Sequence, residues 1–234
     1  AVRWMTPDRL KVGSGELGVR GHYAQRQLPG ATLLYTVREG ERMDDDETAV
    51  HGKWQLRQKT WQWKVAAQAL FHQKRYEDRD RQYPGGVRQD DYRQREWWFS
   101  TGVEHHISAH WQWAYAVDAT WATLRQRGEA EREVGRMSLQ QALSARYHRT
   151  RGSATLRLLR HDFFNTARNA DPTNLGTANN VGSFGLQGTA HAFLWRTSAT
   201  RVSLRATAQS TFRPPTFAEN YYFRYGNTQL RNER

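Results

Sequence analysis

The sequence predicts an all-β fold, an antiparallel transmembrane β-barrel with about ten strands in this chain, from three observations. Apolar and polar residues alternate with a period of two along ten segments. Short turns and long polar connections alternate between these segments. Aromatic residues gather near the segment ends, as they do where the wall of a barrel meets lipid headgroups.

The clearest alternation lies in residues 109–123. Trp111, Trp113 and Trp121 fall on one side of an extended chain, whereas Gln112 and Asp118 fall on the other. The eleven residues from Trp111 to Trp121 match the length that a tilted strand needs to cross a bilayer. Similar alternation predicts strands near 15–25, 31–38, 48–57, 61–72, 96–104, 139–148, 153–162, 182–195 and 201–209.

The connections between these segments differ in length in a regular way. Short turns are predicted near 28–30, 57–60, 105–108, 150–152 and 196–199. Longer polar segments lie between them, at 39–47, 73–93, 124–136, 163–181 and after 212. An outer-membrane barrel has short periplasmic turns and long extracellular loops. A soluble antiparallel sheet with tryptophan in its core is the alternative, and it places long loops at either end.

The composition combines polarity with many aromatic residues. The mean hydropathy is −0.91, yet the chain contains ten Trp, ten Tyr and nine Phe, which argues against disorder. The net charge of +12 suits nucleic acid, lipopolysaccharide phosphates or an anionic ligand. The absence of cysteine excludes a disulfide scaffold and a thiolate metal site. No apolar run is long enough to predict a transmembrane helix.

Residues 212–230 contain a longer motif. It consists of Phe212, Arg213, Pro214, Pro215, Thr216, Phe217, Glu219, Tyr221, Tyr222, Tyr225, Gly226, Asn227 and Leu230. This pattern resembles one found in TonB-dependent outer-membrane receptors, and it is compatible with both their vitamin B12 and their siderophore branches. The sequence departs from the family pattern at Asn220, where Leu is frequent, and at Thr228, where Pro is usual. These departures leave the subfamily open but not the family resemblance.

The resemblance implies a barrel of 22 strands that is plugged by an N-terminal domain. It also implies energy-coupled uptake of a scarce small molecule, such as a siderophore, a metal chelate or cobalamin, across the outer membrane of a Gram-negative cell. The plug would contact the inner-membrane TonB complex, and lipopolysaccharide would surround the barrel. We therefore expect residues 1–234 to be a central-to-late barrel segment, with the plug and the final strands outside this chain.

The motif itself is interpreted as structural. Arg213-Pro214-Pro215 ends a strand, because proline donates no hydrogen bond to a neighbouring strand. Tyr225-Gly226-Asn227 supplies residues that tolerate a turn. Direct contact with the ligand is the alternative role.

Candidate binding residues follow from their predicted position in loops. The aromatic candidates for ligand contact are Tyr76, Tyr83, Phe163, Tyr222, Phe223 and Tyr225. Four arginines of the predicted inner wall, which favour an anionic ligand, are Arg146, Arg157, Arg201 and Arg205. Asp44, Asp45 and Asp46 form a carboxylate cluster in a predicted outer loop, where either a Ca²⁺ ion or plain solvation explains them.

No nucleophile elbow, P-loop or zincin motif is present, so an enzyme is not expected. The preferred partners are membrane lipid, the small ligand and the TonB complex, and not nucleic acid. Two alternatives remain, namely a passive porin-type barrel and a soluble basic β-protein that binds nucleic acid or polysaccharide.

Overall fold

The structure of the protein is a computed structural model, and it describes residues 2–5, 13–27, 41–79, 87–128, 131–168, 180–196, 200–213, 215, 219–220 and 230. These residues form ten antiparallel strands in one open sheet, and each strand pairs with its neighbours in chain order. The strands are β1 (Val2–Met5), β2 (Ser14–Gln27), β3 (Arg42–Arg57), β4 (Trp61–Asp78), β5 (Arg88–His106), β6 (Trp111–Arg127), β7 (Arg132–Arg149), β8 (Gly152–Arg168), β9 (Val181–Arg196) and β10 (Arg201–Ser210). The predicted all-β class is confirmed, and the open meander is consistent with part of a barrel.

Most strands are longer than the sequence predicted. β4 has 18 residues and β5 has 19, against about five or six in an average strand. These strands extend into the segments predicted as loops at 73–93, 124–136 and 163–181. The predicted strand ends were wrong there because both faces of the strands are polar near the loop end. Hydropathy alone then shows no alternation, although the strand continues.

The connection between β2 and β3 also differs from the prediction. Residues 42–47 were expected in a loop, but they belong to β3 and pair with β2, with Tyr23 opposite Asp46. The predicted turn at 28–30 and the predicted strand at 31–38 lie outside the described residues.

Most short connections nevertheless lie at one end of the sheet, and most long connections lie at the other. Residues 58–60, 107–110 and 150–151 join strands at one end, called here the turn end. The other end, called the loop end, has the connections 28–41, 79–87, 128–131 and 169–180. The connection at 128–131 is shorter than predicted and begins at Gly128, which has a φ of +151°. A Cβ atom there would lie 2.3 Å from Oδ1 of Asp90, so glycine is required.

The two faces of the sheet differ in polarity and exposure. We call the face that carries Trp63, Phe99 and Leu143 the outer face, and the opposite face the inner face. The inner face is the more polar one, yet the buried side chains lie on it, such as Leu124 at 2% exposure. On the outer face of the same strand, Trp121 is 59% exposed. This is the reverse of a soluble sheet, which buries its apolar face.

Candidate functional site

Large apolar side chains cover the outer face from β2 to β10 and remain exposed. Trp121 is 59% exposed and Phe184 is 75% exposed. The exposed set is Leu17, Val19, Tyr23, Val50, Trp61, Trp63, Phe71, Trp97, Phe99, Trp111, Tyr115, Trp121, Met137, Leu143, Leu156, Leu158, Phe164, Phe184, Leu186, Trp195, Val202 and Leu204. A continuous apolar surface that crosses nine strands far exceeds the patches of a few hundred Å² on typical soluble monomers. We call this surface the apolar band.

Aromatic residues border the apolar band on both sides. At the turn end, the rings of Trp61 and Trp113 meet edge to face with centroids 5.8 Å apart. At the loop end, Phe71 and Trp97 make a similar contact at 5.7 Å. Ten residues separate Trp61 from Phe71 along β4, which is about 33 Å of extended chain. For a strand tilted by about 35°, that length rises about 27 Å, close to the height of a barrel's lipid-facing band.

The turn-end border of the apolar band is not perpendicular to the strands. Following the strand pairing from Trp61 of β4 across the sheet leads to Ala208 of β10. The band on β10, however, reaches Val202, six residues closer to the turn end. Six strands separate β4 from β10, so the border shifts by one residue per strand.

The loop-end border shifts in the same direction and by the same amount. Tyr23 of β2 is in register with Arg125 of β6, four strands away, whereas the band on β6 ends at Trp121, four residues short of Arg125. One residue of about 3.3 Å per strand spacing of about 4.8 Å corresponds to a tilt of about 35°. Strands of closed barrels tilt by about 35–45°. The apolar band is therefore level only if the strands are tilted as they are in a barrel.

Three polar side-chain atoms of the apolar band have partners inside the sheet. The indole N–H of Trp63 donates to Thr101 Oγ1 at 2.9 Å, and that of Trp113 contacts His105 Nδ1 at 3.2 Å. The hydroxyl of Tyr115 donates to Gln141 Oε1 at 2.8 Å. Such pairing suits a surrounding that offers no water, because an unpaired polar group in hydrocarbon costs several kcal/mol.

Ion pairs on the outer face include Arg42 with Asp44, Arg93 with Asp91, and a third pair within β8. Arg160 donates through Nε to Asp162 Oδ2 at 2.8 Å, and its guanidinium lies 5.5 Å from the centroid of Phe184. Arg160 is in register with Val65 of β4, four strands away. A shift of one residue per strand places Arg160 at the level of Ala69, beside the loop-end aromatic border. The pair therefore lies at the edge of the apolar band and not at its centre.

The segment after β10 turns onto the inner face. Arg136 of β7 donates through Nη1 to the carbonyl oxygen of Pro215 at 2.7 Å. The same guanidinium donates through Nε to Asn165 Oδ1 at 2.8 Å and lies 5.2 Å from the ring centroid of Phe163. The ring of Phe212 approaches His161 of β8 at 6.0 Å. Arg136 thus connects this segment to two strands of the inner wall. The sequence predicts Arg136 in the loop at 124–136, whereas it lies in β7.

The motif residues within the described part of the chain make few contacts with each other. Arg213 forms an ion pair with Glu219, Phe212 and Pro215 contact the inner wall, and Leu230 is 41% exposed. The motif residues Thr216, Phe217, Tyr222, Tyr225, Gly226 and Asn227 lie outside the described residues.

The predicted ligand contacts do not form a single cluster. Tyr76 lies near the end of β4 and Phe163 lies in β8, so neither is at a loop tip. Phe163 is 8% exposed and packs against His161 with ring centroids 4.1 Å apart. The remaining aromatic candidates, Tyr83, Tyr222, Phe223 and Tyr225, lie outside the described residues.

The three aspartates proposed for Ca²⁺ lie in β3 and not in a loop. Asp44 and Asp46 point to the outer face and Asp45 to the inner face, because neighbouring residues in a strand diverge. Asp44 accepts from Arg42 at 3.0 Å, and Asp45 pairs with His72. Among the described residues, no group of three or more His, Cys, Asp or Glu is arranged to hold a metal ion.

Another buried polar cluster lies at the loop end of the inner face. Arg88 and Asp90 form an ion pair at 2.9 Å with side chains that are 9% and 2% exposed. Gln126, at 1% exposure, donates to the hydroxyl of Tyr92 at 3.4 Å. These residues were not predicted as a cluster, because they fall in the segments 73–93 and 124–136 that the sequence predicts as loops.

Comparison of the sequence with protein-family models and with curated proteins finds no match. Among the described residues, no helix combines the length and the apolar character needed to span a bilayer.

Proposed function

We propose that this chain is part of the barrel of an energy-coupled receptor in the outer membrane of a Gram-negative cell. One observation supports the membrane barrel above all others. The exposed apolar band is bordered by aromatic residues, has the height of a lipid-facing band, and shifts by one residue per strand. Neither a soluble core nor a partner protein requires that shift, whereas a flat bilayer around the tilted strands of a barrel does.

The receptor class rests on the motif of residues 212–230, which resembles that of TonB-dependent receptors. The inward turn of the segment around Pro215 also supports it, because that segment narrows the space above the inner wall. The ligand would be a siderophore, a metal chelate or cobalamin. Coupling would run through a plug domain outside this chain to the TonB complex, and lipopolysaccharide would contact the outer rim.

The test uses the full-length gene product that contains this chain. We expect its migration in detergent gels to change on heating, and its β-rich circular dichroism to require detergent or lipid, because the apolar band must be covered. A full-length product that stays monodisperse and β-rich in plain buffer would contradict the membrane barrel. It would favour the soluble basic β-protein that binds nucleic acid or polysaccharide.

A passive porin-type barrel is the second candidate. The exposed arginines of the inner wall favour it, since a polar inner face is also what a water-filled pore has. Two measurements separate the candidates. An upstream globular domain together with a closed state in planar bilayers supports the coupled receptor, whereas steady conductance without such a domain supports the porin.

A further inference from the structure

The charge of the inner wall is distributed unevenly around the sheet. On β2 to β6, acidic and basic side chains alternate, as in the pairs of Lys53 with Glu16 at 2.7 Å and Arg20 with Glu47 at 2.8 Å. On β7 to β10 the sequence contains only two carboxylates, Glu133 and Asp162. Strand pairing places both of them on the outer face, in line with Arg125 and Leu139. The inner face of β7 to β10, called here the basic arc, therefore has no carboxylate.

Four described arginines lie on the basic arc, and one of them, Arg136, is engaged with Asn165 and the Pro215 carbonyl. Arg146, Arg157 and Arg205 lie on β7, β8 and β10, and all three are exposed. Within the described part of the chain Arg146, Arg157 and Arg205 form no ion pair, and Arg157 Nη1 lies 3.5 Å from Gln187 Oε1. Their guanidinium groups are thus available to an external partner.

Neutral hydrogen-bonding groups surround these three arginines. Thr155, Thr189 and Thr207 lie in one row with Arg146, and Gln187 and Gln209 lie in the next row with Arg157. His191 is directly opposite Arg205. A wall of guanidinium, hydroxyl and amide groups is suited to oxygen-rich anions, since the planar guanidinium forms paired hydrogen bonds with carboxylate and phosphate.

We propose that the basic arc binds an anionic ligand that carries several carboxylate, phosphate or similar oxyanion groups. This inference rests on the proposed function, because it assigns the substrate class of the same barrel. It favours an anionic chelate over a ligand without net negative charge. The opposite arc, in which carboxylates offset the basic side chains, would contribute little to that selection.

The test measures binding of pyrene tetrasulfonate, a rigid tetra-anion, by fluorescence anisotropy with the full-length protein in a neutral detergent. The test variant is R146Q/R157Q/R205Q. The matched control is R20Q/R57Q/K64Q, which removes the same charge from the inner face of β2 to β4. We expect binding by the wild type to weaken about tenfold or more in the test variant, because three charge-assisted contacts are lost. In the control variant it should change less than about twofold.

Equal loss of binding in both variants would overturn the proposal, because total charge would then explain it. Absence of binding by the wild type would overturn it too. Heat-dependent migration of the same samples reports whether each variant forms the barrel. A wild type without that behaviour contradicts the proposed function, whereas a normal barrel without selective loss contradicts only the anionic ligand. If the triple variant fails to assemble, Arg205→Gln on the exposed strand β10 replaces it, with an expected weakening of about threefold.

Discussion

At the scale of single residues, Arg136 makes three distinct contacts on the inner wall. It donates to Asn165 and to the Pro215 carbonyl, and it covers the ring of Phe163. The planar guanidinium satisfies these directions at once, which a lysine ammonium on a flexible stem does not. Arg136 therefore holds the segment at Pro215, beside the contact of Phe212 with His161.

Arg136→Ala is expected to release this segment from the inner wall. Loss of a hydrogen bond from a charged group costs about 1.5–3 kcal/mol, which corresponds to roughly ten- to hundredfold faster opening. Hydrogen exchange of amides in residues 211–220, followed by mass spectrometry, measures it. Arg146→Ala on the same face of β7 is the control, because Arg146 lies ten residues further along the strand, opposite Gln112. Similar exchange in both variants would show that Arg136 does not hold the segment.

At the scale of the strand, the two faces of β6 have opposite requirements. Val117 lies on the outer face between Trp113 and Trp121, and Ala116 lies on the inner face between Gly102 and Ala142. Both neighbours of Ala116 are small, so there is room for a larger side chain at position 116. Gly102 lies directly beside it, since a Cβ atom added to Gly102 would be 3.5 Å from the Cβ atom of Ala116. Positions 117 and 116 are therefore a matched pair of sites for testing the two faces of one strand.

Val117→Arg is expected to impair barrel assembly, and Ala116→Arg is expected to be tolerated. An arginine that faces lipid near the midplane costs about 2–4 kcal/mol, whereas one on a hydrated inner face avoids most of that cost. Urea unfolding from lipid vesicles, followed by tryptophan fluorescence, measures the difference in the free energy of unfolding. Equal destabilisation by the two variants would contradict the assignment of the faces.

At the scale of the whole molecule, the apolar band and the strand pairing together define the tilt of the strands relative to the membrane. The band is oblique to the strands by one residue per strand, so a bilayer that covers it evenly requires tilted strands. This shift of the band is visible only when the strands from β2 to β10 are compared with each other. It also explains why Arg160 and Asp162, which seem central in β8, lie level with the loop-end aromatics.

Strands of the full-length protein in oriented bilayers are expected to tilt by about 35° or slightly more from the membrane normal. Polarised infrared spectroscopy of the amide I band measures this angle. A random orientation in the bilayer would contradict a spanning barrel. Strands parallel to the normal would contradict the band as its lipid-facing surface.

Much of the fold was predictable from the sequence because a strand has a side-chain period of two. The alternation around Trp111 and Trp121 identified β6 and its faces correctly. The same signal fails where both faces are polar, and there the predicted loops took in Phe163, Arg136 and the aspartates of β3. The candidate site was less predictable, because contacts such as Arg136 with Pro215 join residues that are 79 positions apart.

The sequence by itself determined the all-β class, the outer and inner faces, and the absence of carboxylates from the inner positions of β7 to β10. These are local properties, since they depend on residue type and on a period of two. Only the tertiary structure decided the oblique course of the apolar band and the inward turn after β10. Both depend on which residues lie opposite each other across strands, and hydrogen-bond register between distant segments sets that relation.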